Sequence, residues 1–513
     1  MPPVTTTQNA AGLVLDGERF FTRMKALLTA VRQSAPNAGT YIRMASWSAD
    51  SECEVGGPGD RTRLIAELRA VALAGHKVEL ILWQPSQSDR AVNAMARAVH
   101  TQNTEVHRLL HDTMSGRIRV YLESYNGWAG TATHQKLFIA SIAGQRTVLL
   151  GGINLENHYY SNDAHHPLAQ NFWHDTAVEL SGPATTAVEA EWVRRWNKSG
   201  MALTANTTAQ AAHAAVGGAP VSVTIATTNT ETSTRVNDIR DQVVAAIGAA
   251  NNYVYLENYA VCDPAIITAL RTRMAAVPAL EVIIVVPHEL TGDDYPYRYL
   301  MRHTWLKLAS TNFRSLTLRV PGMPLPRSLL RASRPRCTVR EDPNAGNLSR
   351  SVSSTFSNRW LENDALVFSG GGQADQAVKL VDIIDMDTDF RIYAPVVKSG
   401  GAPNAIYVHS KLILIDDRIL IVGSANWTYR SMVYDGEIAA LIDNPAIATA
   451  ARTALFGHYN APTVLTPANW AATAAANEAG FGALPNGRHV IVPVPETSFQ
   501  RTLPGHSGNF TWY

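Results

Sequence analysis

Two short stretches, Thr133-His134-Gln135-Lys136-Leu137 and Val408-His409-Ser410-Lys411-Leu412, decide how this chain is read. Each runs into an apolar segment, Phe138-Ile139-Ala140 or Ile413-Leu414-Ile415, and then into a glycine-led stretch that ends in asparagine. The first copy continues through Leu149-Leu150-Gly151-Gly152-Ile153-Asn154, the second through Ile421-Val422-Gly423-Ser424-Ala425-Asn426. The offsets between copies are 409 − 134 = 275, 411 − 136 = 275 and 426 − 154 = 272, so three chemical groups recur in nearly one register.

Read as strands, both copies point His and Lys, two residues apart, to one face, and the apolar run behind them is buried. The glycines let the backbone turn tightly and bring the amide back to the same place. Two such half-sites facing one another hold two histidines, two lysines and two asparagines. Neither a carboxylate pair nor a metal cluster belongs to that set. Its donors suit an anionic, phosphate-like group, with one imidazole to attack and another to protonate. Lys136 and Lys411 lie in otherwise apolar segments, where an unpaired ammonium is costly, which favours a role at a site over a solvated surface position.

These residues resemble the signature of the phospholipase D superfamily: His-x-Lys, four residues, Asp, then Gly-(Gly/Ser)-x-Asn. The second copy carries all of it in His409, Lys411, Asp416, Gly423, Ser424 and Asn426. The first copy has His134, Lys136, Gly151, Gly152 and Asn154, but Ser141 stands where the signature has Asp. By that resemblance the Asp supports strand and turn and does not attack phosphate, so Ser141 reads as a weakened scaffold and not as a dead site. Trp173-His174-Asp175, ending in Gly182-Pro183-Ala184, and Arg430-Ser431-Met432 followed by Asp435-Gly436-Glu437-Ile438-Ala439 are similar to segments of the lipid-hydrolysing phospholipases D and transphosphatidylases.

The likeness covers most of the chain. It implies an α/β fold of two phospholipase D-type domains, each a mixed β-sheet flanked by helices, related by a pseudo-twofold axis with one active site at their interface. It also implies the roles: His134 attacks phosphorus, His409 acts as acid and then base, and Lys136, Lys411, Asn154 and Asn426 hold the non-bridging oxygens. A histidine that attacks through one nitrogen needs the other protonated and held, and Asp175 and Glu437 are the carboxylates for that task. The expected pairing crosses the halves, Glu437 with His134 and Asp175 with His409. No cofactor and no metal is implied.

At 513 residues the chain is long enough for two domains of about 200 to 250 residues. The division is expected as 1–200, a small, turn-rich linker at 201–220, and 221–513, with an insertion around 321–372 that reads either as a cover over the cleft or as an excursion without a role. Hydrophobic residues at 46% with charged residues at 17% describe a globular chain. No apolar window of about 18 residues suggests a membrane span. Lys plus Arg of 44 against Asp plus Glu of 43 gives a net charge of +1, no global footprint for gripping a polyanion, and counts against nucleic acid. Cys53, Cys262 and Cys337 have no metal-ligand spacing and read as buried apolar residues. Tyr159-Tyr160 and the group Tyr295, Tyr297, Tyr299 and Trp305 read either as rings at a membrane interface or as core. Met1 to Thr7 lack a basic patch followed by an apolar stretch, so the expected location is cytoplasmic, or outside by a route without a cleavable signal, and peripheral to the membrane.

The combined expectation is a monomeric phospholipase D that hydrolyses the distal phosphodiester of a phosphatidylcholine-like lipid at a membrane surface and transfers to water or a small alcohol through a phosphohistidine. Three alternatives stand beside it: a cardiolipin-synthase-like phosphatidyltransferase, a nuclease or phosphodiesterase of the same superfamily, and a lipid- or protein-binding module on a decayed scaffold.

Overall fold

Alternation along the two motif strands sets up the layers. Leu137 and Ile139 share one core with Leu412 and Leu414. Phe138 and Ala140 point the other way, into a core with the helices of the first half, and Ile413 and Ile415 into a core with those of the second. A strand buried on both faces needs an unbroken apolar run, which both motifs supply. The structure, a computed structural model, describes residues 2–114, 116–124, 131–161, 173–229, 236–288, 390–399, 402–459, 466 and 469–494, with short strands at 319–320, 323–324, 338–341, 366–370 and 373–378.

The first sheet has seven strands in the order Ala10–Leu15, Thr176–Ser181, Gln145–Gly151, Leu137–Ile142, Tyr41–Ser46, Lys77–Gln84 and Ile118–Ser124. Only its last two pairings are parallel. The same order and directions recur in the eleven-stranded second sheet, through Ser222–Asn229, Glu437–Asp443, Ile419–Gly423, Leu412–Ile415, Tyr253–Glu257, Glu281–Val285 and Phe390–Ser399. The fold is therefore a mixed α/β architecture, with the two sheets packed face to face. On the outer face of the first sheet lies the helix Asp16–Gln33, whose Phe20, Phe21, Met24, Leu27, Leu28 and Val31 recur at helical spacing and are all buried. Helices Asp238–Gly248 and Pro264–Ala276 cover the second sheet in the same way. Thr185–Trp196 and Pro445–Tyr459 contribute Trp192, Trp196, Phe456 and Tyr459 to the shared core.

Val4–Thr6 crosses over and adds an antiparallel edge to the second sheet. All other strands of that sheet follow residue 221, which supports the proposal that the halves divide within 201–220. That segment has no helix or long strand, yet it is bound along the first half: Ala211 N donates to Gln145 Oε1 at 2.8 Å, Arg146 N to Gln210 Oε1 at 2.9 Å, and His213 N to Gln8 O at 2.8 Å. It is a strap more than a tether.

Regular strand begins only at Leu137 and Leu412, so His134, Lys136, His409 and Lys411 lie in the extended approach to each strand and not within it. Tyr159 and Tyr160 are buried, 3% and 5% exposed, which removes them from any membrane interface. Tyr160 stacks on Phe21 instead. Tyr295, Tyr297, Tyr299, Trp305, Cys337 and, apart from the short strands, the insertion at 321–372 lie outside the described residues. Among the described residues, no helix is long and apolar enough to cross a membrane.

Candidate active site

The two halves meet by exchanging short strands. Trp173-His174 pairs in parallel with Tyr407-Val408, and Thr133 bridges Gly436 in the same sense. His409 N donates to His174 O and His134 N to Gly436 O, both at 2.8 Å. The residue after His174 is Asp175 and the residue after Gly436 is Glu437, so this pairing carries each carboxylate to the histidine of the opposite half. Glu437 Oε1 lies 2.9 Å from His134 Nδ1, and Asp175 Oδ2 lies 2.7 Å from His409 Nδ1. An Nδ1–H donated to a carboxylate fixes the tautomer and leaves Nε2 with its lone pair.

The glycines of the motif serve close approach and not a left-handed turn. A Cβ on Gly151 would stand 2.3 Å from Thr176 O, and one on Gly152 would stand 2.2 Å from Asp175 Oδ1. In the second copy a Cβ on Gly423 would meet Ile438 O and Ala439 Cβ, each at 2.6 Å. The next position there is Ser424, whose hydroxyl donates to Glu437 Oε2 at 2.5 Å and accepts from Ile438 N at 3.1 Å.

Lys136 Nζ donates to His134 O at 2.8 Å, and Lys411 Nζ to His409 O, which keeps each ammonium beside its own histidine. Asn154 Nδ2 donates to Tyr159 OH at 2.8 Å, and Asn426 Oδ1 accepts from Asn258 Nδ2 at 3.2 Å. Burial pushes both Asp175 and Glu437 up to about 7. Burial first, then Lys136 and Lys411, hold His134 well below the usual imidazole range; for His409 the order is burial, Lys411, Lys136. All eight residues expected from sequence are thus gathered in one buried place at the junction of the halves. Burial likewise holds Lys136 well below the usual lysine range, a cost that an anion placed between the two lysines would offset.

A family model described as "Cardiolipin synthase, PLD-like domain" matches residues 379–456, the stretch that holds the second motif. That stretch of the chain is therefore similar to a phospholipase D-like domain. Phospholipase D2 of Bos taurus is 41% identical over 69 residues, a match that spans 12% of this chain and 7% of that protein's length. Among solved structures, a phosphatidylserine synthase of Haemophilus influenzae Rd KW20 superposes with a TM-score of 0.46 at 11% identity, covering 86% of this chain and 84% of that one. A polyphosphate kinase of Porphyromonas gingivalis gives 0.41 at 13% identity, over 87% and 49%. Both are too distant to fix fold or chemistry.

The departure from the superfamily signature at Ser141 has a structural cause. From His to Asn the first copy spans 154 − 134 = 20 residues and the second 426 − 409 = 17, so the first hairpin is three residues longer. Asp416 stands at the turn, in the left-handed region at φ +54°, and its carboxylate accepts from the N–H groups of Asn251, Asn252 and Tyr253 at 2.6, 2.8 and 2.8 Å. Ser141 is still in strand, paired with Tyr41 and Arg146. Its hydroxyl donates to Gly39 O at 2.7 Å, while Asn37 Oδ1 takes Gly39 N at 2.8 Å. The support is rebuilt with other residues, which corrects the reading of a weakened scaffold.

Several residues at the site carry no motif. Trp47 and Tyr259 each follow the first strand of their half's motif pair, and Lys136 Nζ and Lys411 Nζ lie 5.9 and 5.8 Å from their ring centroids. An aromatic residue within two positions of the end of equivalent strands, 259 − 47 = 212 apart, was the signal available. Around His409 gather Trp173, Tyr159, Tyr407 and Tyr259, with ring centroids 5.3, 5.3, 6.1 and 6.3 Å from the imidazole.

Proposed function

We propose that this chain is a metal-independent phospholipase D that hydrolyses the distal phosphodiester of phosphatidylcholine-like lipids and transfers the phosphatidyl group to small alcohols. The carrying observation is the crossed pair of carboxylate–imidazole contacts, which supports two histidines acting on one phosphate. In the first step, His134 Nε2 forms a bond to phosphorus, the bond to the headgroup oxygen breaks, and that oxygen takes the proton from His409 Nε2. For this step the Asp175–His409 pair enters with two protons, one on Nε2 and one between Nδ1 and the carboxyl. The second settles on the imidazole once the anionic phosphodiester is beside it, so that His409 becomes neutral when it gives up the Nε2 proton. In the second step, His409 takes the proton of water or an alcohol, the new oxygen bonds phosphorus, and the bond to His134 breaks. Lys136 and Lys411 with Asn154 and Asn426 hold the non-bridging oxygens as charge redistributes.

The aromatic rings around His409 support a quaternary ammonium leaving group on that side, because the negative face of a ring attracts such a cation. The chain would act as a monomer on lipid at a membrane surface. A phosphatidyltransferase reading rests on the description of the matching family, and it uses the same intermediate with a second lipid as acceptor. Incubation of the protein with phosphatidylcholine and a primary alcohol, followed by lipid mass analysis, is expected to give phosphatidic acid and the phosphatidyl-alcohol. Cardiolipin formed from phosphatidylglycerol, with phosphatidylcholine untouched, would favour the transferase. Cleavage of single-stranded DNA alone would overturn both.

A further inference from the structure

Behind the Asp175–His409 pair lies a buried charge cluster that the steps above leave unused. His174, fully buried, has Nδ1 2.9 Å from Asp16 Oδ1 and Nε2 3.1 Å from Glu257 Oε2. Its carbonyl meanwhile accepts from His409 N at 2.8 Å and Ser410 N at 3.2 Å. Asp16 also takes Asp175 N on Oδ1 at 3.2 Å, donates its own N–H to Asp175 O at 2.9 Å, and faces His458 Nε2 with Oδ2 at 3.1 Å. Glu257 accepts from Tyr255 OH at 2.5 Å and from Tyr459 OH. Asp16 is held at φ +59°, a left-handed conformation uncommon for a residue with a side chain, so the surroundings over-determine its place.

The cluster is built from both halves: Asp16 and His174 come from the first, Glu257, Tyr255, His458 and Tyr459 from the second. A ring bound at both nitrogens cannot rotate, and the peptide that follows it carries Asp175. Burial works against a charged imidazole here, but Asp16 and Glu257 outweigh it and hold His174 well above its ordinary range, as the cation between two anions. In the other half-site the residue before the carboxylate is Gly436, which has no side chain to clamp.

We propose that His174, clamped between Asp16 and Glu257, is a positioning residue that sets the angle of Asp175 on His409, and thereby proton transfer by His409, without acting on His134. This rests on the reading of His409 as acid and then base. The prediction is selective, because a leaving group that needs no proton should not feel the change in the first step.

The test compares His174→Asn and Glu257→Gln with wild type on phosphatidylcholine and on phosphatidyl-4-nitrophenol, in rapid-mixing experiments. On phosphatidylcholine, kcat is expected to fall at least about 30-fold. On the aryl ester, a burst of one nitrophenolate per enzyme should persist at a rate within about threefold of wild type, followed by slow turnover, since His409 must still activate water. Glu257→Gln removes the charge that pins His174 while keeping the side chain's shape, so it serves if His174→Asn fails to fold. Equal loss of the burst and of steady turnover in a folded variant, or no change on either substrate, would overturn the inference. So would an equimolar metal ion at Asp16, His174 and His458, whose ligand atoms lie within 4.8 Å of one another, if its removal reproduced the loss. Wild type inactive on both lipids would sink the functional reading itself, a distinct result.

Discussion

The half-site at His134 and the half-site at His409 reach the same carboxylate–imidazole contact with different parts. At His134 the supporting group is Glu437, a side chain one methylene longer than Asp175, and Ser424 fills the space beside it and donates to its second oxygen. At His409 the shorter Asp175 approaches so closely that Gly152 must stay bare, and Thr176 N supplies the second hydrogen bond at 2.7 Å. Behind Asp175 stands the charged cluster of His174; at the corresponding place stand Gly436 and Asp435, which accepts from Ala132 N at 2.8 Å and Arg430 Nε at 2.9 Å. What is common to the two is backbone: a strand exchanged between halves that delivers a carboxylate to the partner's imidazole. The serine-or-glycine position and the glutamate-or-aspartate position are coupled, so neither side chain transfers alone from one half to the other.

The largest effects should come from the carboxylates. Asp175→Asn and Glu437→Gln are each expected to lower kcat by about 10²- to 10⁴-fold, the usual range for a group that holds a catalytic imidazole. Because burial raises both carboxylates to about 7, the activity profile should be a bell around that value: loss of the Glu437 proton readies His134 to attack, and loss of the proton shared by Asp175 and His409 removes the acid. Stability should fall across the same range. A carboxyl whose folded value lies above its unfolded one contributes stability that is complete below the unfolded value and lost as pH rises through about 7. Tm should therefore decline between about pH 5 and 8, and Asp175→Asn should flatten that decline by a few degrees, on the order set by a domain of this size. A pH-independent Tm difference between the two proteins would contradict the assignment.

The coupling between neighbouring positions is sharpened by Gly152→Ala and Ser424→Ala. The first puts a carbon 2.2 Å from Asp175 Oδ1, and a displacement near 1 Å there should cost about 10²-fold in kcat. The second removes a donor to Glu437 whose hydrogen bond holds that carboxyl down, so the acid limb of the pH profile should move to higher pH with a loss of roughly tenfold or less. Steady-state profiles of both variants decide this; equal, pH-independent losses would mean that the two half-sites are not built differently.

The smallest effects on activity belong to the hairpins. Asp416→Ala leaves three backbone N–H groups without their acceptor and should cost about 2 to 3 kcal/mol of stability, with kcat within about threefold. Ser141→Asp should also spare kcat, yet it should lower Tm, because a carboxylate would replace a donor that faces Gly39 O. If the substitution raised Tm, the longer hairpin would not be the reason for the serine.

Much of this site was legible in the chain. The repeated His-x-Lys and Gly-x-x-Asn groups marked both half-sites, and the unbroken apolar runs marked strands buried on two faces. What the repeat hid was where the motif sits: His and Lys precede the strand, where the peptide is available to pair across the halves, and periodicity alone does not separate an extended approach from a paired strand. The three-residue difference between 275 and 272 was visible, but its meaning needed the hairpins. Asp16 reads as an ordinary acidic start to a helix and Glu257 as the end of a strand; only the packing of one half on the other brings them to His174. Trp47 and Tyr259 became site residues within their own halves, by lying over Lys136 and Lys411.

The central claim is that both halves build one site in which His134 is the nucleophile. It is tested most directly by quenching the protein with radiolabelled phosphatidylcholine during turnover under alkaline conditions, where phosphohistidine survives, and mapping the label by mass spectrometry. The account predicts one phosphatidyl group per chain on the peptide containing His134, none in His134→Ala, and retention of the label in Asp175→Asn, where the second step is slow. Turnover without any trapped label, or label that survives in His134→Ala, would contradict it.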